Sequence, residues 1–168
     1  MEQVRIEKLT LNIGSGKDQG RLAKATALIK KLTGKDPIKT RSKKRIPAWG
    51  LRPGLPIGCK LTLRKKPAHD MLKLLLEAKD KVLKPSQFDA CGNVSFGIHE
   101  YIDIPNLEYD PDIGVMGLEV CLTLEKPGTR IKRRKLLKKK LPSKQRVSTS
   151  EAQDFLRSKF GIQVGEQA

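Results

Sequence analysis

The chain has 168 residues, about the size of one domain, and at this length roughly 70% of the unfolded surface can be buried in a core without staples. There is no apolar run of the ~18 residues a membrane helix needs, no signal-like apolar centre in "MEQVRIEKL", and no paired or C-x-x-C cysteine spacing among Cys59, Cys91 and Cys121, so the reading is a cytosolic protein without disulfide framework or zinc ribbon. The net charge is +17, and it is uneven: residues 35–66 hold eleven basic residues against one acid and residues 126–146 hold eleven against none, which leaves −4 for the rest. Like charges this dense call for a polyanion, either a phosphate backbone or an anionic membrane.

In chain order, Val4, Ile6, Leu9, Leu11 and Ile13 alternate with polar residues, which predicts a strand with a slip near Lys8. The turn "GSGKDQG" follows. Asp18 is placed to cap a helix over 19–32 with Leu22, Ala25, Leu28, Ile29 and Leu32 on one face, stopped by Gly34. A short strand over 37–41 leads into a basic Pro/Gly-rich loop to about Pro56. In "IGCKLTLRK", Ile57, Cys59, Leu61 and Leu63 point one way, while Lys60, Thr62 and Arg64 share the other face, with Lys39 and Arg41 near it.

Pro67 suits the first turn of a helix to about residue 83, with Met71, Leu74, Leu75, Ala78 and Val82 inward. "NVSFGIHEYIDI" and "GLEVCLTLEK" read as two strands, the second with Cys121 as buried filler. The segment 126–147 is basic and reads either as a basic helix with Ile131, Leu136 and Leu137 as a thin apolar edge, or as a solvated tract. Ser148 and Glu151 have capping-box spacing for a final helix at 149–160. The expectation is a single α+β domain over 1–168, its mainly antiparallel sheet covered by helices on one face and open to RNA on the other.

Few motifs point to chemistry. The glycines of "NIGSGKDQG" are spaced G-x-G-x-x-x-G, which matches neither a dinucleotide fingerprint nor a P-loop. A nucleotide-dependent enzyme using residues 14–20 is the rival reading, and a phosphate of a larger nucleic acid meeting the N–H groups of that turn and Lys17 is a middle one. "DPDIG" lacks the third oxygen ligand of a calcium loop. His69 and His99 have no spaced carboxylate or thiol partners, so no catalytic residue, metal or cofactor is expected. A basic amphipathic helix would also suit a membrane surface, but this one lacks aromatic anchors.

The loop is the stronger signal. Lys43, Lys44, Arg45 and Arg52 are suited to neutralising phosphates. Trp49, the only tryptophan, either packs on the loop prolines or stacks on an unpaired base. In the second block, Arg130, Lys132, Arg133, Arg134 and Lys138 are candidate phosphate contacts. With few aromatics elsewhere and no RRM-type strand motif, the expected mode is recognition of RNA by backbone and shape.

Four stretches, "VRIEKLTLNIGSG", "LIKKLTGKDPIKTRSKKR", "GLRPGLPIGCKLTLR" and "FDACGNVSFGIHEYIDIPNLEYD", resemble the family of large ribosomal subunit protein five, the universal 5S rRNA-binding family, in its archaeal form. The resemblance covers most of residues 4–124. It implies a structural protein of the central protuberance whose strand face and adjoining turns hold 5S rRNA, and whose glycine/proline loop, here residues 43–52, reaches the peptidyl-site tRNA. Asn12 in "LNIG" and Thr62 in "KLTLR" match the family's RNA-contacting positions. Lys35 stands where many bacterial relatives carry glutamine, so a charge contact replaces an amide contact there. Large-subunit rRNA and neighbouring ribosomal proteins are the further partners implied, with the small-subunit head as an additional candidate; the target of the block after Pro127 is open.

Overall fold

A computed structural model describes residues 3–105 and 107–165. The elements are β1 (Arg5–Gly14), α1 (Gln19–Thr33), β2 (Ile38–Arg41), β3 (Pro56–Leu63), α2 (Lys65–Glu77), β4 (Val82–Leu83), β5 (Asn93–Ile98), β6 (Leu118–Glu125), α3 (Thr149–Phe160) and β7 (Gln163–Val164). Five strands form a sheet in the order β2-β3-β1-β6-β5, and β4 pairs with β7 in parallel. The fold is therefore α+β with a mainly antiparallel sheet. The chain divides into two compact units, one built from residues up to Leu9, Arg64–Phe96 and from Cys121 onward, the other from Thr10–Leu63 and Gly97–Val120.

In the second of these units, the helix signals act as expected. The Asp18 carboxylate accepts from the N–H groups of Gly20 and Arg21 and starts α1; Gly34, at φ 66°, ends it in the left-handed region that glycine enters without strain. Leu22, Ala25, Leu28 and Ile29 form the buried stripe. α1 packs on β3, whose Cys59 is fully buried and hydrogen-bonds to Thr26. Burial pushes the Cys59 thiol pKa up, against the smaller effect of that bond. Gly58 is needed for a close approach: a Cβ there would stand 2.7 Å from the Ile13 carbonyl oxygen. The strand expected to run through "HEYIDI" stops at Ile98. Tyr101–Asp103 forms a 3₁₀ turn, and the buried Tyr101 hydroxyl accepts from Asp110 N–H at 2.8 Å.

In the other unit, α2 is shorter than its periodicity suggests. It ends at Glu77 instead of near residue 83, because Asp80 and Lys81 turn through φ 54° and 57° and Val82 and Leu83 leave as β4. Strand pairing wins there: Gln163 N–H donates to the Lys81 carbonyl, and Leu83 is fully buried. The inward stripe of α2 is accordingly Ala68, Met71, Leu72, Leu75 and Leu76. Ser148 and Glu151 form a reciprocal capping box at the start of α3.

Two other expectations are corrected. Cys121 is exposed, since Val120 and Leu122 take the buried alternation of β6 and Cys121 falls on the opposite side. The segment 126–147 is not an α-helix. It contains only 3₁₀ turns at Thr129–Lys132 and Ser143–Gln145, with Leu137 at φ 51° between them.

Candidate nucleic-acid interface

Alternation along β3 sends Cys59, Leu61 and Leu63 into the protein and leaves Lys60 and Thr62 exposed on the opposite face. α1 packs on the side of Cys59, and the side chains of Lys60 and Thr62 stand in solvent, so the face is open there. On β1, Leu11 and Ile13 are buried, and Asn12, between them, is half-buried and points the other way. Its amide donates to Glu119 Oε2 at 3.0 Å. A shallow depression of about 360 Å³ runs over Asn12, Gly14, Gly97, His99 and Glu119. Gly97 has open space where a side chain would stand, so a nucleic-acid backbone can come close to the strand.

The register β2–β3 divides the remaining candidates. Ile38 lies opposite Lys60 and Thr40 opposite Gly58, so these share the open face. Lys39 lies opposite Cys59, on the other face from Lys60, and Arg41 lies opposite Pro56 beyond a register irregularity. Both are exposed at the edge strand. Lys35, just past the end of α1, is exposed as well. Arg64 belongs to the other unit: it caps α2 without a side-chain bond and sits 3.6 Å from Glu7, with 54% of its side chain in solvent.

The basic loop is a folded protrusion. Ser42 N–H donates to the Leu55 carbonyl, Gly54 N–H to that of Ser42, and Ile46 and Leu51 exchange both backbone bonds. Leu51 is buried beneath it. A 3₁₀ turn, Pro47–Trp49, forms the tip. Trp49 is 67% exposed, so it is not packed away among the prolines. Lys43, Lys44, Arg45 and Arg52 are all exposed.

The glycine turn at 14–20 offers little to a ligand. Ser15 and Gly16 both donate their N–H groups to the Ile57 carbonyl, at 3.0 and 3.1 Å, and the Asp18 carboxylate takes those of Gly20 and Arg21. With the helix start already occupied by an anion of the protein, the phosphate cradle considered for this turn is filled. Among the described residues, no cluster of His, Cys, Asp and Glu is arranged to hold a metal ion, and no helix is long and apolar enough to cross a membrane.

The second basic block is anchored by a half-buried ionic cluster that its composition did not reveal. Glu125 accepts from Arg5 at 2.7 Å, from Thr129 Oγ1 at 2.6 Å and from Arg133 at 2.9 Å, and Arg133 also pairs with Glu7. Burial raises the Glu125 pKa, but the Thr129 and Arg5 hydrogen bonds and the Arg133 and Arg5 charges outweigh it and hold the carboxyl below its ordinary value. Arg133 thus serves the protein's own packing, while Arg130, Lys132 and Lys138 stay exposed and Arg134 is half-buried. Lys126 is buried against Glu151 at 2.7 Å. Within the two blocks, Arg64, Lys126 and Arg133 alone have a carboxylate partner among the described residues.

Two family models match the chain: "Ribosomal protein L5" over residues 1–52, and the model of the C-terminus of the same ribosomal family over residues 56–144. The chain belongs to this ribosomal protein family. Relatives named large ribosomal subunit protein uL5 bear this out along almost the full length. The protein of Methanobrevibacter smithii is 44% identical over 162 residues, covering 96% of this chain and 95% of its own. That of Nanoarchaeum equitans is 46% identical over 165 residues, 98% and 97% of the two chains, and that of Methanoregula boonei 44% over 164 residues, 98% and 99%. The family resemblance carried by the four sequence stretches is thereby shown, including its likeness to archaeal members.

Proposed function

We propose that this protein is a non-catalytic structural constituent of the large ribosomal subunit in the cytoplasm, binding 5S rRNA in the central protuberance and presenting the loop 43–52 to the peptidyl-site tRNA. The observation that carries this reading is the set of exposed cations without carboxylate partners among the described residues: Lys60 on the open face, Lys39 and Arg41 on the edge strand, Lys35 past the end of α1, and Lys43, Lys44, Arg45 and Arg52 on the loop. Asn12 and Thr62 supply hydrogen-bonding groups on the strand face, and Arg64 adds a further exposed cation. Arg130 and Lys132 add contacts to large-subunit rRNA, with Arg133 holding their segment in place. Binding proceeds by counterion release and shape fit, as expected for a strand face with few aromatic groups.

Filter binding to folded 5S rRNA, against an unrelated RNA hairpin and over a salt series, tests the reading. The log–log salt slope should be steep, roughly 0.7–0.9 per phosphate neutralised, and 5S rRNA should bind more tightly than the hairpin, less so after Asn12→Ala or Thr62→Ala. Equal affinity for both RNAs would reduce the protein to a generic polyanion binder. Deleting residues 43–52 should spare 5S binding while impairing tRNA-dependent steps in assembled ribosomes; lost 5S affinity would overturn the assignment of the loop.

A further inference from the structure

We propose that the tip of the second basic block is a protein-docking element, in which Leu136 and Leu137 enter an apolar pocket rimmed by carboxylates on a neighbouring protein. The tip is displayed by a closed base. Lys139 N–H donates to the Ile131 carbonyl, Gln145 Nε2 to that of Pro127, and Arg133 is locked onto Glu7 and Glu125. On this base, Leu136 is 77% and Leu137 79% exposed, the highest values among the large hydrophobic residues described.

The backbone holds the pair outward. Leu137 sits at φ 51°, where glycine or asparagine is relaxed and leucine is not. Arg134 Nε donates to the Leu137 carbonyl at 2.8 Å and fixes that turn. A solvated tract has no use for a strained leucine, and a phosphate backbone has no surface that rewards an isobutyl group. An apolar pocket does, and two adjacent leucines at a protruding tip make the compact anchor that protein interfaces favour.

Charge complementarity selects the rim. Arg134 and Lys135 precede the leucines and Lys138 and Lys139 follow them, none with a carboxylate partner among the described residues. Acidic side chains around the pocket would steer and orient the encounter. The inference rests on the ribosomal reading for where the partner is to be found, but goes beyond it in class, since protein and not RNA covers the tip.

The test places photoreactive benzoylphenylalanine at position 136 of the full chain in cells where it is the sole copy, irradiates purified large subunits and complete ribosomes, and identifies the adducts by mass spectrometry. The expected adduct is a ribosomal-protein peptide with apolar residues beside Asp or Glu, its yield falling roughly tenfold with Leu137→Ser, as loss of a buried leucine implies, and falling also with Lys135→Gln and Lys138→Gln together. A chain that enters the particle but cross-links to rRNA alone, or to nothing, overturns the inference and leaves the proposed function standing. A chain absent from the large subunit overturns both. If Leu137→Ser impairs folding, Leu137→Gly, which relaxes the turn and removes the side chain, is the substitute; an undiminished adduct with it also overturns the inference.

Discussion

The Asn12 amide donates to Glu119 Oε2 at 3.0 Å, so a group matched to RNA contact is aimed by a carboxylate on the same open face. An acid on the face proposed for RNA opposes the binding of phosphates, and its use here is to orient the amide. Glu119→Gln keeps an acceptor for Asn12 and removes the charge. Affinity for 5S rRNA should rise about threefold near 0.1 M salt, the gain shrinking at higher salt as screening grows. Glu119→Ala should not show the same gain, because the amide is released. Filter binding of the three proteins decides it; a weaker Glu119→Gln complex would mean that the carboxylate itself meets the RNA.

Gly58 tests the packing of β3 against β1. Gly58→Ala puts a Cβ 2.7 Å from a backbone oxygen and 3.1 Å from Thr40 Oγ1. Backbone cannot yield as a flexible side chain does, so the variant should lose about 1–3 kcal/mol in urea unfolding. An unchanged midpoint would show that the strands separate freely there.

Glu125 sets an acid limit on stability. Its carboxyl pKa lies below the ordinary value in the folded chain, as do those of Asp110, hydrogen-bonded by Lys31, and Glu151, hydrogen-bonded by Lys126. A lowered folded pKa means that this stability is complete above the ordinary carboxylate range of about 4 and is lost as pH falls through the folded values. Glu125→Gln should cost about 1–3 kcal/mol near neutrality, less than a fully buried pair would, because Arg5 and Arg133 are half exposed. It should also flatten the acid limb of Tm against pH. An unaltered limb would move the origin of the acid sensitivity elsewhere.

Trp49 separates display from support. Trp49→Ala should change stability by no more than about 0.5 kcal/mol, since the ring stands in solvent. If it stacks on a base, tRNA affinity of assembled ribosomes should fall by roughly 1–3 kcal/mol. Thermal unfolding and tRNA binding measured on the same variant distinguish the two roles.

The elements most legible in the sequence are those whose end signals are local. Asp18 and Gly34 bracket α1, and Ser148 with Glu151 opens α3, because each signal is a bond closed within a few residues. The end of α2 is not local: the pattern through Val82 is helical, and pairing with Gln163 and Val164, far along the chain, overrides it. The face of Lys60 and Thr62 follows from alternation alone, whereas placing Lys39 opposite Cys59 requires the register. The second basic block is the hardest to read, because Glu7 and Arg5 shape it from the far end of the chain.

That distance has a consequence during translation. Arg5 and Glu125 are 120 positions apart, a gap of on the order of ten seconds at ordinary elongation rates. Until the later residue emerges, the clamp beneath the cationic tip cannot close. A nascent chain therefore cannot offer its leucine pair in finished form, and the contact it makes is reserved for completed molecules.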